Sequence, residues 1–396
     1  MMKRVFAAAT AILAIAAFST AADAQQKVRI GYSVGKTGLL AAACPVQKEA
    51  YELWRDQVNA KGGLQIGAQG KRMIEFVEYD DASDAAKAVQ IYEKLISDDK
   101  VDLLLAPCAT YIHIAIVPVL EKHGFPVVGN TSISAQVRDL KAKNMFFVYP
   151  LPDQMAVSLA NFLADQKVKS ISMIALQLTF SLEAKKFLLP ELAKRNIKVA
   201  FDQEYPPDVK DMTSIVSGMK RANAEAIVAL TYPGDSVLYM TAAREQGLTA
   251  SSGFHLVVLG PSHPFFVEKF GKNAEGIISL GMYSHKNAKW PRAKGFFDAH
   301  VAKYKKAPDV VDTVVGYASA EVLEQAVAKA GIDRAKLRQV LAADTFDTIL
   351  GPAKFKDGYN EILPAGWAQI QNGINEIVWP ADIATGKFIS KGPWMN

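Results

Sequence analysis

The chain has 396 residues, of which 50% are apolar and 21% are charged, and its formal net charge is +5. This composition excludes a disordered or fibrous protein, because half of the residues can be buried and low-complexity tracts are absent. The mild positive charge, without blocks of Lys or Arg, argues against nucleic acid as a partner. We expect a globular protein long enough for about two domains.

The first residues have the layout of a secretory signal peptide. Lys3 and Arg4 precede an uncharged stretch over residues 5–18, and small residues follow up to Ala24. The uncharged stretch is too short for a membrane-spanning helix, which needs roughly 20 residues. We therefore expect residues 1–24 to be a signal peptide that is cleaved after Ala24, and the mature chain to be exported.

Short β-branched runs then alternate with segments of helical period. The strand candidates are residues 28–34, 74–80, 101–107, 125–130, 146–150, 170–176, 199–205, 226–230 and 255–260. Their near-continuous apolar character is typical of strands that are buried on both faces. The helix candidates between them are residues 46–60, 84–97, 109–122, 181–195, 212–222 and 236–246. This alternation predicts βαβ units with parallel sheets, and hence an α/β fold.

The alternation passes through two rounds before it breaks down. The first round ends near residues 143–153 and the second near 276–291. Two long helices are predicted near 290–305 and 310–330, and short strands follow them. No flexible linker separates the two rounds, so we expect two doubly wound lobes between which the chain crosses more than once.

Polar residues follow two neighbouring strands of the first round. Ala109 and Thr110 lie where a buried strand gives way to a helix, and Asn130, Thr131 and Ser132 follow the next strand. Ligands of open α/β sheets bind beyond the carboxyl ends of strands, where the free N–H groups of a helix's first turn favour an anion. The two turns predict a carboxylate pocket; the alternative is that these residues only cap helices.

The ends of the second-round strands carry aromatic and mixed polar groups. These candidates are Phe180, Tyr232, Asp235, Ser262 and His263. Such side chains can cover the body of a ligand that the first round holds by its carboxylate. The alternative is that Phe180 belongs to the core and His263 to an ordinary loop.

The sequence gives little sign of catalysis, a cofactor or a metal. It contains neither a G-x-x-x-x-G-K-[ST] phosphate loop nor a G-x-G-x-x-G turn. Its six histidines include no H-E-x-x-H motif and no close pair at helical metal-ligand spacing. Two cysteines, Cys44 and Cys108, leave two alternatives in an exported protein, one disulfide or two separate buried thiols.

Two long stretches resemble a known family. Residues 58–107, with an Asn-x-x-Gly-Gly turn and an Asp-Asp pair before a helix, look like the first-lobe signature of periplasmic branched-chain amino-acid-type solute-binding proteins. Residues 211–248 are similar to the matching second-lobe stretch. The resemblance implies the type I periplasmic-binding-protein fold, in which two lobes joined by a three-crossover hinge close on a small ligand.

The same resemblance implies the organisation and the partners of the protein. We expect an N-terminal lobe of residues 25–147 and 282–350 and a C-terminal lobe of residues 148–281 and 351–396. The expected protein is a periplasmic monomer without a cofactor. Its expected partners are a small-molecule carboxylate and the inner-membrane permease of an ABC importer, although the same closed form could serve a sensory receptor instead.

The resemblance also assigns roles to individual residues. Ala109 and Thr110 fall in the turn that holds the ligand carboxylate. The further implied contacts are Asn130 and Ser132 in a second carboxylate-binding turn and Phe180 and Tyr232 as aromatic contacts. Ser83 stands where the family has a disulfide partner, so Cys44 would have to replace it in a bond with Cys108.

A second departure from the family concerns the ligand. Ser262 stands where amino-acid binders have an acidic partner for the ligand's amino group. A buried ammonium without an anion costs several kcal/mol, most of a micromolar affinity of about 8 kcal/mol. We therefore expect a carboxylate without an amine, such as a benzoate or a phenylpropenoate. The alternatives are an amino-acid or amide receptor that uses Asp235, and a secreted hydrolase that uses Cys108 or His263.

Overall fold

The computed structural model of the protein describes residues 27–395. The expected signal peptide, residues 1–24, lies outside the described residues. Within residues 27–395, no helix is both long and apolar enough to cross a membrane.

The first round of the chain forms most of the N-terminal lobe. Its elements are β1 (Val28–Val34), α1 (Pro45–Ala60), β2 (Leu64–Gln65), β3 (Lys71–Arg72), β4 (Ile74–Asp80), α2 (Ala85–Ser97), β5 (Leu103–Leu104), α3 (Thr110–His123), β6 (Val127–Gly129), α4 (Gln136–Asp139) and β7 (Met145–Phe147). Strand β1 runs parallel to both β4 and β5. The strand predicted at 101–107 is shorter in the structure, because only Leu103 and Leu104 pair with β1.

The second round forms the C-terminal lobe. Its elements are α5 (Pro152–Asp165), β8 (Ser170–Leu176), α6 (Thr179–Lys194), β9 (Lys198–Tyr205), α7 (Thr213–Ala222), β10 (Ala226–Leu230), α8 (Pro233–Glu245), β11 (Phe254–Val257), α9 (Pro264–Phe270) and β12 (Ile278–Leu280). Strands β8 and β10 are almost wholly buried, as their unbroken apolar sequences predict. Neighbouring strands in the order β9, β8, β10, β11 and β12 all run parallel to one another.

The rest of the chain contributes helices and strands to both lobes. Its elements are α10 (Arg292–Tyr304), α11 (Asp312–Ala330), α12 (Arg334–Ala343), β13 (Thr345–Thr348), β14 (Gly351–Lys356), β15 (Tyr359–Asn360), β16 (Trp367–Gln371) and β17 (Ile374–Trp379). Helices α10 and α11 confirm the two predicted long helices. Helix α11 packs on α1, where the Trp54 indole donates a hydrogen bond to Glu324 at 2.8 Å.

The sheets define three crossings between the lobes. Strands β6 and β7 share a sheet with β15, β14 and β13, whereas β16 and β17 extend the seven-stranded sheet of the C-terminal lobe. The chain therefore crosses after β7, again after β12 and a third time after β15. The boundary expected after residue 350 lies too early, because it separates β13 from β14, which pair as neighbouring antiparallel strands. The N-terminal lobe's strands continue to Asn360.

Candidate functional site

A cleft lies between the two lobes, at the carboxyl ends of their strands. We call it the interlobe cleft. It is lined by Leu40, Ala43, Cys108, Ala109, Thr110, Thr131, Ile133, Tyr149, Phe180, Tyr232, Pro233, Leu259, Leu280, Val311 and Asp312. Its walls are mainly apolar with a few polar groups, which is the usual make-up of a small-molecule site.

A strained turn before α3 forms one side of the cleft. Ala109 has φ 73° and ψ 146°, a conformation that L residues rarely adopt. Its amide donates to the Thr131 hydroxyl at 3.0 Å, and its carbonyl accepts from the backbone amide of His113 at 3.1 Å. The neighbouring Cys108 is bonded to Cys44, with 5.7 Å between their Cα atoms. Several contacts thus hold the turn in its strained shape.

The turn directs the start of α3 toward the cleft. The first N–H groups of a helix have no partner within the helix, so those of Thr110, Tyr111 and Ile112 are available to an anion. The Thr110 hydroxyl oxygen accepts the amide of Ile133 at 3.2 Å, which leaves its hydrogen free to donate. Together these groups can hold a carboxylate.

His113 supports this turn from behind. Its Nδ1 lies 2.9 Å from the carbonyl oxygen of Ala109, and its Nε2 accepts from the amide of Asn130 at 3.4 Å. Burial lowers the pKa of His113 to about 4. The ring is therefore a neutral structural group that donates through Nδ1. It is not a partner for Cys108, whose sulfur is in the disulfide.

Aromatic side chains form the opposite side of the cleft. The rings of Phe180 and Tyr232 meet edge to face with centroids 6.1 Å apart. The buried hydroxyl of Tyr232 has no hydrogen-bond partner among the described residues, and neither has that of Tyr149. A buried hydroxyl without a partner is costly, so both groups are suited to a bound ligand.

Asp312 brings a carboxylate to the cleft from the first turn of α11. Its side chain is 13% exposed, and its nearest cationic candidate is His263, with 3.7 Å from Oδ2 to Nε2. Burial and the charge of Asp309 raise the pKa of Asp312 well above its usual value. Burial lowers the pKa of His263, so the ring offers Asp312 little positive charge. Asp312 is thus a buried acid without a strong counter-ion.

His263, Asp309 and Asp312 also have the spacing of a metal site, with one ligand atom from each within 4.8 Å of the others. The carboxylate of Asp309 is already engaged, because it accepts the backbone amides of Val311 and Thr313 at 2.8 and 2.7 Å. Only His263 and Asp312 have free ligand atoms. Two ligands fall short of the three or four protein ligands of a zinc site.

Five of the ten predicted ligand residues line the cleft. They are Ala109, Thr110, Thr131, Phe180 and Tyr232. The other five lie outside its lining: Asn130, Ser132, Asp235, Ser262 and His263. The sequence reasoning missed Tyr149 and Asp312. Tyr149 comes two residues after β7, so the strand-end argument could have found it, whereas Asp312 follows no strand.

The residues outside the lining have structural partners. Asn130 belongs to a core network, in which it accepts from Gln47 at 2.7 Å and donates to Ser319 at 2.9 Å. Asp235 caps α8 by accepting the amide of Tyr232 at 3.0 Å. Ser262 donates to the carbonyl of Leu259 at 2.5 Å. These contacts explain why side chains that follow strands need not face the ligand.

The run GYSVG at 31–35 has the spacing of a hydrolase nucleophile elbow, although its context is different. That motif requires a serine on a sharp turn between a strand and a helix. Ser33 instead lies inside β1, is fully buried and donates to Asp81 at 2.6 Å. This serine is a core residue.

Comparison with known proteins gives a consistent result. The model of a family described as periplasmic binding protein matches residues 27–368. The leucine-, isoleucine-, valine-, threonine-, and alanine-binding protein of Pseudomonas aeruginosa is 24% identical over 361 residues, which cover 90% of this chain and 92% of that protein.

Two solved structures share the fold. A branched-chain amino acid transporter substrate binding protein from Streptococcus pneumoniae, in complex with isoleucine, has a TM-score of 0.79 at 20% identity and covers 90% of this chain and 100% of its own. An ABC transporter solute binding protein from R. palustris, in complex with benzoate, has a TM-score of 0.75 at 20% identity, with 89% and 96% covered. These likenesses confirm the predicted two-lobed α/β fold.

Proposed function

Because the chain belongs to the periplasmic binding protein family, we propose that it captures a small apolar amino acid between its lobes and delivers it to an inner-membrane ABC permease. The protein is then a periplasmic receptor and not an enzyme. Its mechanism is hinge closure, in which the two lobes meet around the ligand.

The observation that carries this proposal is Asp312 in the interlobe cleft. The start of α3 offers N–H donors to a carboxylate, and Asp312 offers an anion to a cationic nitrogen. Apolar side chains such as Leu40, Leu259 and Leu280 line much of the remaining wall. A ligand with a carboxylate, an ammonium group and an apolar side chain complements all three features.

Asp312 changes the argument about the amino group. The expectation of an amine-free ligand rested on Ser262, which lies outside the cleft lining and donates to Leu259. Asp235, the acid considered for an amino-acid ligand, is occupied as the cap of α8. Asp312 supplies the missing anion from a third position. The names of the relatives, which refer to branched-chain amino acids, support the same ligand class.

An aromatic acid is the second candidate. The edge-to-face pair of Phe180 and Tyr232 suits a flat ring, and one structural neighbour was solved with benzoate. A benzoate would leave Asp312 without a cationic partner. This candidate therefore requires Asp312 to stay protonated in the complex, which its raised pKa allows.

Calorimetric titration with matched ligands separates the two candidates. Leucine and 4-methylpentanoate share a carbon skeleton and differ in the amino group, and benzoate tests the aromatic ring. We expect leucine or isoleucine to bind and 4-methylpentanoate to bind at least about 100-fold more weakly, because it cannot pair with Asp312. Binding of benzoate without binding of any amino acid would favour the second candidate.

A matched variant identifies the group that recognises nitrogen. Asp312→Asn keeps the size of the side chain and removes its charge, so leucine should lose most of its affinity while the melting temperature of the free protein stays similar. Asp235→Asn is the comparison, since Asp235 lies outside the lining of the cleft but in the pocket next to it. Equal losses in both variants would contradict the assignment of Asp312.

A further inference from the structure

His263 stands beside Asp312 without a hydrogen-bond partner of its own. The ring is 1% exposed, and neither Nδ1 nor Nε2 has a partner among residues 27–395. Phe265 stacks on it with centroids 5.5 Å apart. The Nε2 atom lies 3.7 Å from the Asp312 carboxylate, slightly beyond hydrogen-bond distance. A buried imidazole without partners is costly, which makes this arrangement unusual.

The charged and titratable groups around the pair are few. The charge of Asp309 raises the pKa of both Asp312 and His263, and the charge of Lys306 lowers the pKa of His263. On the cleft side, the pKa values of Tyr149 and Tyr232 are raised, chiefly by burial and also by the charge of Asp312. The carboxylate of Asp309 is held by the backbone amides of Asp312 and Thr313. The groups that can respond to a ligand are therefore Asp312 and His263.

We propose that His263 is a positioning residue for nitrogen recognition, and that the ligand's ammonium group displaces a proton from the Asp312–His263 pair as it binds. The proposal rests on the proposed amino-acid function. In the complex, the neutral ring of His263 donates from Nε2–H to Asp312. Asp312 then carries a full negative charge toward the ligand.

The direction of the proton transfer follows from the surroundings. Burial and the charge of Asp309 raise the pKa of Asp312, which favours the protonated carboxyl group while the cleft holds no cation. An ammonium group close to Asp312 favours the ionised carboxylate. The proton leaves to solvent, and the affinity for the ligand rises with pH until Asp312 is already ionised in the free protein.

Calorimetry in two buffers with different ionisation enthalpies counts the displaced protons. We titrate the full mature chain with leucine from about pH 5 to about pH 9, at each pH in two buffers that act there, such as acetate and MES at the acidic end and phosphate and Tris above about pH 7. The wild-type protein should release up to about one proton for each ligand at the acidic end, and its affinity should rise about tenfold for each pH unit there. Both effects should fade toward high pH.

Variants of His263 test the positioning role. His263→Leu removes the donor, so Asp312 ionises less readily; the affinity at neutral pH should fall roughly 10-fold, and the rise with pH should move to higher pH. His263→Gln retains an N–H donor and should restore much of the affinity. His255→Gln is the control, because His255 is an equally buried histidine whose Nε2 pairs with the Tyr239 hydroxyl at 2.8 Å.

The outcomes separate this proposal from the function on which it rests. Leucine binding with equal heats in the two buffers and a flat pH profile would overturn the proposal and leave the function intact. Failure of every amino acid to bind would overturn the function. An affinity that depends on added zinc, tested with zinc chloride against a chelator, would overturn the proton role. If His263→Leu does not fold, His263→Met, which also lacks a donor, takes its place, and the proton count of the wild-type protein still tests the release.

Discussion

Glu183 on α6 of the C-terminal lobe accepts a hydrogen bond from the hydroxyl of Ser134 in the N-terminal lobe at 2.9 Å. Its other oxygen accepts the amide of Ala135, also at 2.9 Å. The carboxylate is only 9% exposed. These contacts join the lobes beside the interlobe cleft, and they exist only while the lobes are together.

Glu183→Ala should therefore weaken ligand binding without a large effect on either lobe. Loss of hydrogen bonds to a charged group disfavours the closed form, and we expect the Kd to rise roughly 10-fold. Calorimetric titration measures the change. Glu191→Ala is the matched control on the same helix, because the ion pairs of Glu191 in the described part of the chain are with Lys194 and Arg195 of its own lobe. An unchanged Kd in Glu183→Ala would show that this contact does not hold the closed form.

Removal of the disulfide should lower both stability and affinity. The bond between Cys44 and Cys108 spans 64 residues, and its loss should reduce the free energy of unfolding by about 2–4 kcal/mol. Affinity should fall as well, because Cys108 borders the strained turn at Ala109. Thermal denaturation with and without reductant tests this, and the double variant Cys44→Ser/Cys108→Ser should be insensitive to reductant. A wild-type melting temperature that reductant leaves unchanged would contradict it.

Tyr232→Phe separates ligand contact from packing. The Tyr232 hydroxyl has no hydrogen-bond partner within residues 27–395, so its removal should not destabilise the free protein, whereas the Kd should rise about threefold to tenfold. Tyr239→Phe is the opposite case, because that hydroxyl pairs with His255. It should cost about 1 kcal/mol of stability and leave the Kd unchanged. Chemical denaturation and titration of both variants check the contrast.

The raised pKa of Asp235 predicts that the free energy of unfolding depends on pH. Burial raises its pKa to about 6, above the ordinary 3.8. The folded state then binds the proton more tightly than the unfolded state, so this contribution is complete below about pH 4 and is lost as the pH rises through about 6. It amounts to roughly 2–3 kcal/mol. Asp235→Asn should remove it.

The measurement is the difference between wild type and Asp235→Asn in denaturant unfolding at several pH values. A difference is needed because His113 and His255 have lowered pKa values, about 4 and about 3, and change stability in the opposite direction. The wild-type protein should lose stability relative to the variant between about pH 4 and about pH 6. A relative gain over that range would contradict the buried, protonated state of Asp235.

The fold was predictable where local patterns decide it. Strands β1, β8 and β10 have the predicted limits, because a continuous apolar run between turns is sufficient to define them. The division of the chain into lobes was harder to predict from the sequence. Strands β14 and β15 are short, and their lobe depends on pairing with β7 about 200 residues earlier in the chain, which no local pattern encodes.

The candidate site was predictable where it follows strands. Ala109, Thr110 and Thr131 line the cleft as the strand-end argument predicts for a parallel sheet. Asp312 was missed because it begins a helix that enters from the hinge, where no strand precedes it. Asp235 lies outside the lining of the cleft and accepts the amide of Tyr232, and it lines a pocket that shares Tyr232 with the cleft.

The late position of β14 and β15 has a consequence for the order in which the protein can assemble. The N-terminal lobe starts at Val28, yet one of its sheets, which contains β6 and β7, is finished only by residues up to Asn360. The C-terminal lobe in turn needs β17, which ends at Trp379. A growing chain therefore lacks part of both sheets until nearly all of it has been synthesised. Fragments that end before Asn360 should have neither a complete lobe nor a ligand site.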